Sequence, residues 1–233
     1  MGVDVCRRDF LSRAICGKLN VVATSSYIST SPQSYVSQST ACLLTVQIVW
    51  EDRLLGDIGN DVLVTVDGTD FMIPQLTPFW TGWFSHKFKG PGLRYEVCLC
   101  ILTGDIVLVH GPFPCGKYAD ITIFRHALKH FLGEGERAEA DSGYIHESPG
   151  FVVVPDALVG EEHARMKSRI RSRQETVNKR FKQWGCLKQV FRHKEDLARQ
   201  HSSCFRAVAV ITQLAIDNGE PLFSVAEFRD HPL

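Results

Sequence analysis

The chain has 233 residues, of which 44% are apolar, so it can bury the core of one large domain or of two small ones. Its 26 basic and 26 acidic residues cancel, and the net charge therefore neither favours nor excludes a nucleic-acid partner. No run approaches the ~18–20 apolar residues of a membrane span, which argues against a membrane protein. Eight cysteines without a C-x-x-C pair argue against a zinc module and indicate reduced, intracellular thiols.

Residues 1–45 are predicted to be a mobile leader. Residues 24–41 are rich in Ser and Thr and have few large apolar side chains, so burial cannot offset the entropy of ordering them. Arg7 and Arg8 resemble a twin-arginine export signal, but Lys18 interrupts a weakly apolar stretch, which argues against export. A transit peptide or a misplaced gene start would have the same composition.

The pattern becomes regular near residue 46, and one domain is predicted over residues 46–228. Runs of Val, Leu and Ile predict three strands, at 61–71, 95–102 and 105–110. A turn is expected at Gly68, and Thr103-Gly104 suits a hairpin between the second and third strands. A helix is then predicted over residues 120–132, with Asp120 as its N-cap and Gly133 after its end.

The second half of the chain predicts a strand at 137–141, a short strand at 151–154 and helices at 161–184 and 203–217. The long helix has an apolar stripe formed by Met166, Ile170, Val177, Phe181 and Trp184. This order of elements predicts an α/β protein of the ribonuclease H-like fold: a mixed sheet of three initial strands followed by parallel strands, flanked by helices. Sites in open α/β sheets lie at the strand tips.

Three carboxylates stand where such a fold would bring them together. Asp67 lies in the first strand, Asp141 at the tip of the fourth, and Glu175 in the long helix. Carboxylates from two strands and a helix can hold two Mg²⁺ ions about 3.5–4 Å apart for phosphoryl displacement. The alternatives are that both aspartates are turn residues beside glycines and that Glu175 pairs with Lys179 or Arg171. Glu175 also lies away from the apolar stripe, so it reaches the aspartates only if the helix meets the site by its flank.

Five strings of residues occur in an order that resembles a known family. They are V-D-G-T-D-F (66–71), G-P-F-P-C-G-K-Y-A-D-I-T-I-F-R (111–125), A-D-S-G-Y (140–144), R-Q-E-T-V-N-K-R-F-K (173–182) and A-V-A-V-I-T-Q-L-A-I (207–216). Together they resemble the DDE endonuclease domain of Harbinger-type transposases over residues 50–225. The resemblance implies that Asp67, Asp141 and Glu175 are the catalytic, metal-binding carboxylates.

The implied activity is cleavage of DNA followed by strand transfer, with Mg²⁺ or Mn²⁺, two ions in number, as cofactor. Oxygen-rich ligands suit these ions. Arg171, Asn178 and Lys182 are expected to contact DNA phosphates. An intracellular, nuclear location and a homodimer are further expectations. Asp70 and Asp120 are additional metal-ligand candidates, for which a turn position and a helix N-cap are the alternatives.

The first ~60 residues lack the helix-turn-helix segment that usual relatives carry, which indicates a truncated or domesticated copy that works with a separate DNA-binding protein. Two other functions stay open: a catalytically inactive DNA-binding or scaffold protein, and a metal-dependent nuclease without strand transfer.

Residues 165–199 are strongly basic and form a candidate phosphate-binding surface. A second basic and aromatic patch could stack bases or simply pack, and the pair His126 and His130 is expected to face solvent. This patch comprises Trp80, Trp83, Phe84, His86 and Lys87.

Overall fold

A computed structural model of the chain describes residues 48–56, 61–154, 161–192 and 195–225. The predicted leader therefore lies outside the described residues, as does Lys194 of the basic segment. Among the helices of the described ranges, none combines the length and the apolar character needed to cross a bilayer.

The centre of the domain is a mixed six-stranded sheet. Its strands follow the order β2-β3-β1-β5-β6, with β4 paired to β3. The strands β1, β3 and β4 are antiparallel, whereas β5 runs parallel to β1 and β6 runs parallel to β5. The strands are β1 (Val62–Met72), β2 (Phe84–Ser85), β3 (Gly90–Cys100), β4 (Ile106–Pro114), β5 (Arg137–Glu139) and β6 (Val152–Val153).

Helices flank this sheet, so the predicted α/β class with a mixed sheet is confirmed. The α-helices are α1 (Asp120–His126), α2 (Glu161–Phe181), α3 (Gly185–Lys188) and α4 (Leu197–Asp217). Short 3-10 helices cover Trp50–Gly56, Thr81–Trp83, Leu128–His130 and Ser142–Glu147. The helix α2 packs against β1 and α4.

Each face of the sheet carries its own apolar cluster. On the α2 and α4 face, Tyr95 stacks on Phe205 with ring centroids 4.0 Å apart, and its hydroxyl lies 2.8 Å from His201 Nδ1. Val177 and Phe181 join the same cluster from α2. On the α1 face, the cluster comprises Val64, Val66, Phe124 and Tyr144 together with the buried thiols of Cys98 and Cys100. Successive side chains of a β-strand point to opposite faces of the sheet, so the strands contribute to two separate core layers.

Three local predictions on the first half of the chain are wrong. No turn occurs at Gly68, because β1 stays paired with β3 from Val64 to Met72. Asp120 is not the N-cap of α1: Ala119 holds that position, and Asp120 is the first helical residue. The helix also ends at His126 instead of continuing to 132, because a 3-10 turn follows it.

The apolar stripe of the long helix is confirmed except at its end. Met166, Ile170, Val177 and Phe181 are at most 3% exposed, whereas Trp184 is 41% exposed because α2 already ends at Phe181. The helix therefore packs along its predicted face and ends about one turn before the predicted end at residue 184.

Truncation of Phe181 should destabilise the fold far more than truncation of Trp184. We expect Phe181→Ala to lower the free energy of unfolding by about 3–5 kcal/mol, since the ring is fully buried against Phe205 and leaves a cavity. Trp184→Ala is the matched aromatic control and should cost less than half of that. Urea denaturation measures both, and equal losses would contradict this packing of α2.

Candidate active site

The register between β1 and β5 brings Asp67 and Asp141 to neighbouring positions. Thr65 pairs with Glu139 in the parallel ladder, so Asp67 in β1 and Asp141, just beyond the end of β5, each follow two residues after this pair. The strand β5 ends at Glu139, and the chain turns away at Asp141 into the 3-10 helix Ser142–Glu147. The strand β1 continues, so a notch opens at the tip of β5, and both aspartates border it.

Asp67 is held by two donors. Its Oδ1 accepts from the Gly68 backbone N–H at 2.8 Å, and its Oδ2 accepts from Asn178 Nδ2 at 2.8 Å. Burial raises the pKa of Asp67 to about 6, Lys87 opposes this shift, and Asp120 and Asp141 add to it. A carboxylate that is oriented, partly desolvated and surrounded by other acids is suited to bind a cation.

Asp141 occupies the N-cap position of the 3-10 helix Ser142–Glu147. Its Oδ1 accepts from the Gly143 backbone N–H at 2.8 Å. The predicted alternative, an aspartate in a turn beside a glycine, therefore describes its local conformation correctly. It does not exclude a functional role, because Asp141 also borders the cleft shared with Asp67.

The three predicted carboxylates line a single cleft of about 50 Å³. Glu175 enters this cleft from the flank of α2. The sequence analysis required this approach, because Glu175 lies away from the apolar stripe of the helix. Its side chain is 62% exposed and also pairs with Lys179 at 3.4 Å, so the predicted i,i+4 pair is present as well. A volume of this size accommodates an ion with a few waters but no drug-sized molecule. The lining residues are Thr65, Val66, Asp67, Glu139, Asp141, Arg171, Gln174 and Glu175.

Glu139 is a fourth carboxylate in this cleft that the sequence analysis missed. It is 1% exposed, and its Oε2 accepts from Thr65 Oγ1 at 2.6 Å. Burial raises its pKa to about 7, while the bond from Thr65 and the charge of Arg171 oppose the shift. The signal was available in the sequence, because residues two apart in a strand share a face and Glu139 precedes Asp141 by two.

Amide side chains fix the flank of α2 against the sheet. Gln174 Nε2 donates to the Val97 carbonyl at 3.1 Å, and one turn later Asn178 donates to Asp67. Asn178 was predicted to contact DNA phosphate. In the structure it is 7% exposed and its amide is directed to the aspartate, so we assign it instead to orienting Asp67.

Asp70 is neither in a turn nor available to a metal. It lies within β1 at 4% exposure, and Arg94 binds both of its oxygens, at 2.7 and 3.0 Å. Ser85 Oγ donates to it as well, at 2.6 Å. Burial is the largest single effect and favours the neutral form of Asp70, but Arg94, Ser85 and Lys87 together outweigh it and lower the pKa of Asp70. This bidentate pair removes Asp70 from the list of metal-ligand candidates.

Asp120 approaches the site from the α1 face. Its Oδ1 lies 3.2 Å from Arg94, and a Cβ built on Gly68 would lie only 1.9 Å from that same oxygen. Gly68 is therefore needed for the close approach of Asp120 to β1. Burial raises the pKa of Asp120, against the charges of Arg94 and Lys87. The residue raises the pKa of Asp67 but does not line the cleft.

The basic helix divides into exposed and structural cations. Arg171 and Lys182 are exposed, as a phosphate contact requires, and Arg171 lines the cleft. The Lys182 side chain as a whole is exposed, but its ammonium lies 5.7 Å from the Phe71 ring centroid and is partly shielded from solvent by the protein. This desolvation, followed by the nearby charge of Lys87, lowers the pKa of Lys182. Other basic residues of the helix are buried and donate to backbone carbonyls, and these are Lys167, Arg173 and Arg180. The charge of the segment therefore overstates its phosphate-binding surface.

The aromatic and basic patch lies partly at the surface and connects to β1. Trp80 is 46% exposed and packs edge-on against Trp83. Lys87 extends from this segment and donates to the Gly68 carbonyl at 2.9 Å, which places a cation beside Asp67. His126 and His130 are exposed, as predicted.

The carboxylate oxygens that line the cleft suit a hard divalent cation. One of them, Glu139 Oε1, is buried without a hydrogen-bond partner. Within the described ranges, no group of three or more His, Cys, Asp or Glu side chains is placed to hold a single ion. Mg²⁺ does not require such a cage, because it usually binds one or two carboxylates and keeps several waters.

In comparisons with known proteins, no protein family, no curated protein and no solved structure matches the chain.

The raised pKa of Asp67 predicts that Asp67→Asn gains stability relative to the wild type as the pH rises towards neutrality. Because the folded state holds the proton more tightly, wild-type stability falls as pH rises from the ordinary value of 3.8 through about 6. The variant does not titrate there, so its stability relative to the wild type should rise by about 2–3 kcal/mol across this window in metal-free buffer.

Urea denaturation at pH 4, 5, 6 and 7 measures this difference. Asp196→Asn, at an exposed position paired with Arg199, is the control for the loss of one carboxylate. Stability curves of Asp67→Asn and wild type that stay parallel across the window would contradict the burial of Asp67.

Proposed function

We propose that the domain is a divalent-metal-dependent DNA endonuclease of the DDE transposase type. The observation that carries the proposal is that Asp67, Asp141 and Glu175, from three distant segments, line one cleft. Each has a local alternative taken alone, but those alternatives do not explain why all three border the same small space.

The sheet supports the ribonuclease H-like assignment. Its antiparallel strands β4, β3 and β1 are followed in space by the parallel strands β5 and β6, the arrangement expected from the sequence. The site also lies at the tip of β5, beside a longer neighbouring strand, where open α/β sheets bind their ligands.

The residues of the chain would perform distinct tasks in DNA cleavage. Asp67 and Asp141 present carboxylates at fixed positions, because Asn178, Gly68 and Gly143 hold them by hydrogen bonds. Mg²⁺ or Mn²⁺, as one or two ions, would supply an activated water and stabilise the developing charge at phosphorus. Arg171 lines the cleft and offers a guanidinium to the DNA phosphates.

Strand transfer, in which the freed 3′-hydroxyl attacks a second DNA, uses the same carboxylates. Recognition of a DNA sequence would come from a separate DNA-binding protein in the nucleus, since phosphate contacts carry no base information. The domain would then be the nuclease component of a two-protein system.

One observation favours a second candidate function, a catalytically inactive DNA-binding protein. Glu175 is largely exposed and pairs with Lys179, and among the described residues no three carboxylates are placed on one ion. In that case the exposed cations of α2 would still bind DNA, and the acidic cleft would have no catalytic use.

Purified protein should nick or cleave DNA with Mg²⁺ or Mn²⁺ and lose this activity with EDTA. Asp67→Asn and Asp141→Asn should each lower the rate by at least about 100-fold, because the amide keeps the shape but removes the charge that binds the cation. Glu175→Gln should lower it as well. Gel assays of a supercoiled plasmid give the rates.

Asp196→Asn is the control, because this exposed carboxylate lies outside the cleft. Circular dichroism verifies that each variant is folded. DNA binding by the wild type without any metal-dependent cleavage would support the inactive alternative, and equal cleavage by all variants would contradict the proposed site.

Binding to DNA should depend on Arg171 and Lys182. Replacing both with Ala should weaken binding to unrelated duplexes about equally and reduce the slope of log affinity against log salt by ~0.9 per lost phosphate contact. Arg125→Ala with Arg199→Ala removes the same charge from exposed positions outside α2 and is the matched control. Fluorescence anisotropy at several salt concentrations measures the slopes, and identical slopes for the two double variants would contradict a phosphate-binding flank of α2.

A further inference from the structure

Glu139 stands out among the acidic residues of the cleft because it is almost completely buried. It lies in β5 opposite Thr65 and is 1% exposed, yet it borders the same space as Asp67 and Asp141. Acidic side chains are rarely buried to this extent unless they are paired. Its environment therefore requires a partner.

The two carboxyl oxygens of Glu139 differ in their contacts. Oε2 accepts from Thr65 Oγ1 at 2.6 Å, which fixes the orientation of the group. Oε1 is buried and has no hydrogen-bond partner. A buried acceptor left without a partner is unfavourable, and an apolar residue at this position would avoid that loss. An oriented, unbonded carboxylate oxygen at the wall of an ion-sized cleft has the properties of a cation ligand.

We infer that Glu139 is a further ligand of the divalent cation, acting with Asp67 and Asp141 on the floor of the cleft. This inference rests on the proposed metal-dependent nuclease. In this arrangement β1 and β5 each contribute one residue of a pair, Thr65 with Glu139 and Asp67 with Asp141. Thr65 acts as the positioning residue, since its hydroxyl leaves only Oε1 of Glu139 for the ion.

Titration of the full chain with Mn²⁺, followed by electron paramagnetic resonance of free Mn²⁺, tests the inference without any enzymatic assay. Glu139→Gln keeps the shape and an oxygen that can accept from Thr65, but it lacks the charge. We expect it to remain folded and to weaken Mn²⁺ binding by about 10- to 100-fold. Wild-type affinity in this variant would overturn the inference.

Glu96→Gln is the matched control. Glu96 is also 1% exposed and both its oxygens lack partners, but it pairs with Gly68 and so lies on the α1 face of the sheet. Its replacement should leave Mn²⁺ binding unchanged. An equal loss in both variants would mean that burying an amide perturbs the domain in general, and it would overturn the inference.

Thr65→Val extends the test to a variant that keeps Glu139 itself. Valine has the shape of threonine but cannot donate to Oε2, so we expect Mn²⁺ affinity to fall about tenfold. An unchanged affinity would overturn the inference, even if Glu139→Gln does not fold.

Asp67→Asn separates this inference from the proposed function. If the wild type binds no Mn²⁺, the proposed function fails with it; if only Asp67→Asn loses binding, Glu139 alone is excluded.

Discussion

The unequal lengths of two adjacent strands create the notch on which the candidate site depends. β1 is paired with β3 as far as Met72, whereas its parallel partner β5 ends at Glu139, opposite Thr65. Beyond that point one edge of β1 has no partner from β5, and the chain that follows turns away at Asp141. Acidic side chains can meet at this notch because the backbone there is held in register by the sheet, while the space beside it is not filled by another strand.

The charges on the two faces of the sheet are balanced differently. On the α1 face, Arg94 binds Asp70 through two hydrogen bonds and lies 3.2 Å from Asp120, so those carboxylates have an internal counter-charge. On the α2 face, the cleft carboxylates are held mainly by neutral donors: an amide, a hydroxyl and backbone N–H groups. Asp70 and Asp120 therefore have a counter-charge in direct contact, whereas Asp67 and Glu139 have only nearby cations, among them Lys87 and Arg171, to which a divalent ion would add positive charge. We propose this contrast as the physical basis of the proposed metal site.

Strands and helices with a strong apolar period were predictable from the sequence. The β3–β4 hairpin and the buried stripe of α2 follow directly from the spacing of Val, Leu, Ile and Phe residues. The start of β3 at Gly90 and the end of β4 at Pro114 were not predicted, because Gly and Pro weaken the strand signal and tertiary pairing overrides it. Gly68 was wrongly predicted to form a turn, because its neighbours in the sequence suggest one. In the structure this position needs glycine because a side chain there would collide with Asp120.

The sequence predicted three of the four carboxylates that line the cleft, but it predicted neither Glu139 nor the contacts of these side chains. The order of the strings indicated Asp67, Asp141 and Glu175, and the structure places them at one cleft. The bond from Asn178 to Asp67 joins residues 111 positions apart, and the pair of Arg94 with Asp70 joins neighbouring strands. Such long-range polar contacts depend on the register and on the placement of helices, neither of which a single sequence specifies.

A crystal structure of the protein soaked in Mn²⁺, with data collected at the manganese absorption edge, would test the central claim most directly. Anomalous scattering locates the ion without reference to any activity. The account predicts an anomalous peak at the notch beyond β5, within about 2.0–2.3 Å of carboxylate oxygens of Asp67 and Asp141. A fully occupied peak elsewhere, or an empty cleft at saturating Mn²⁺, would contradict it.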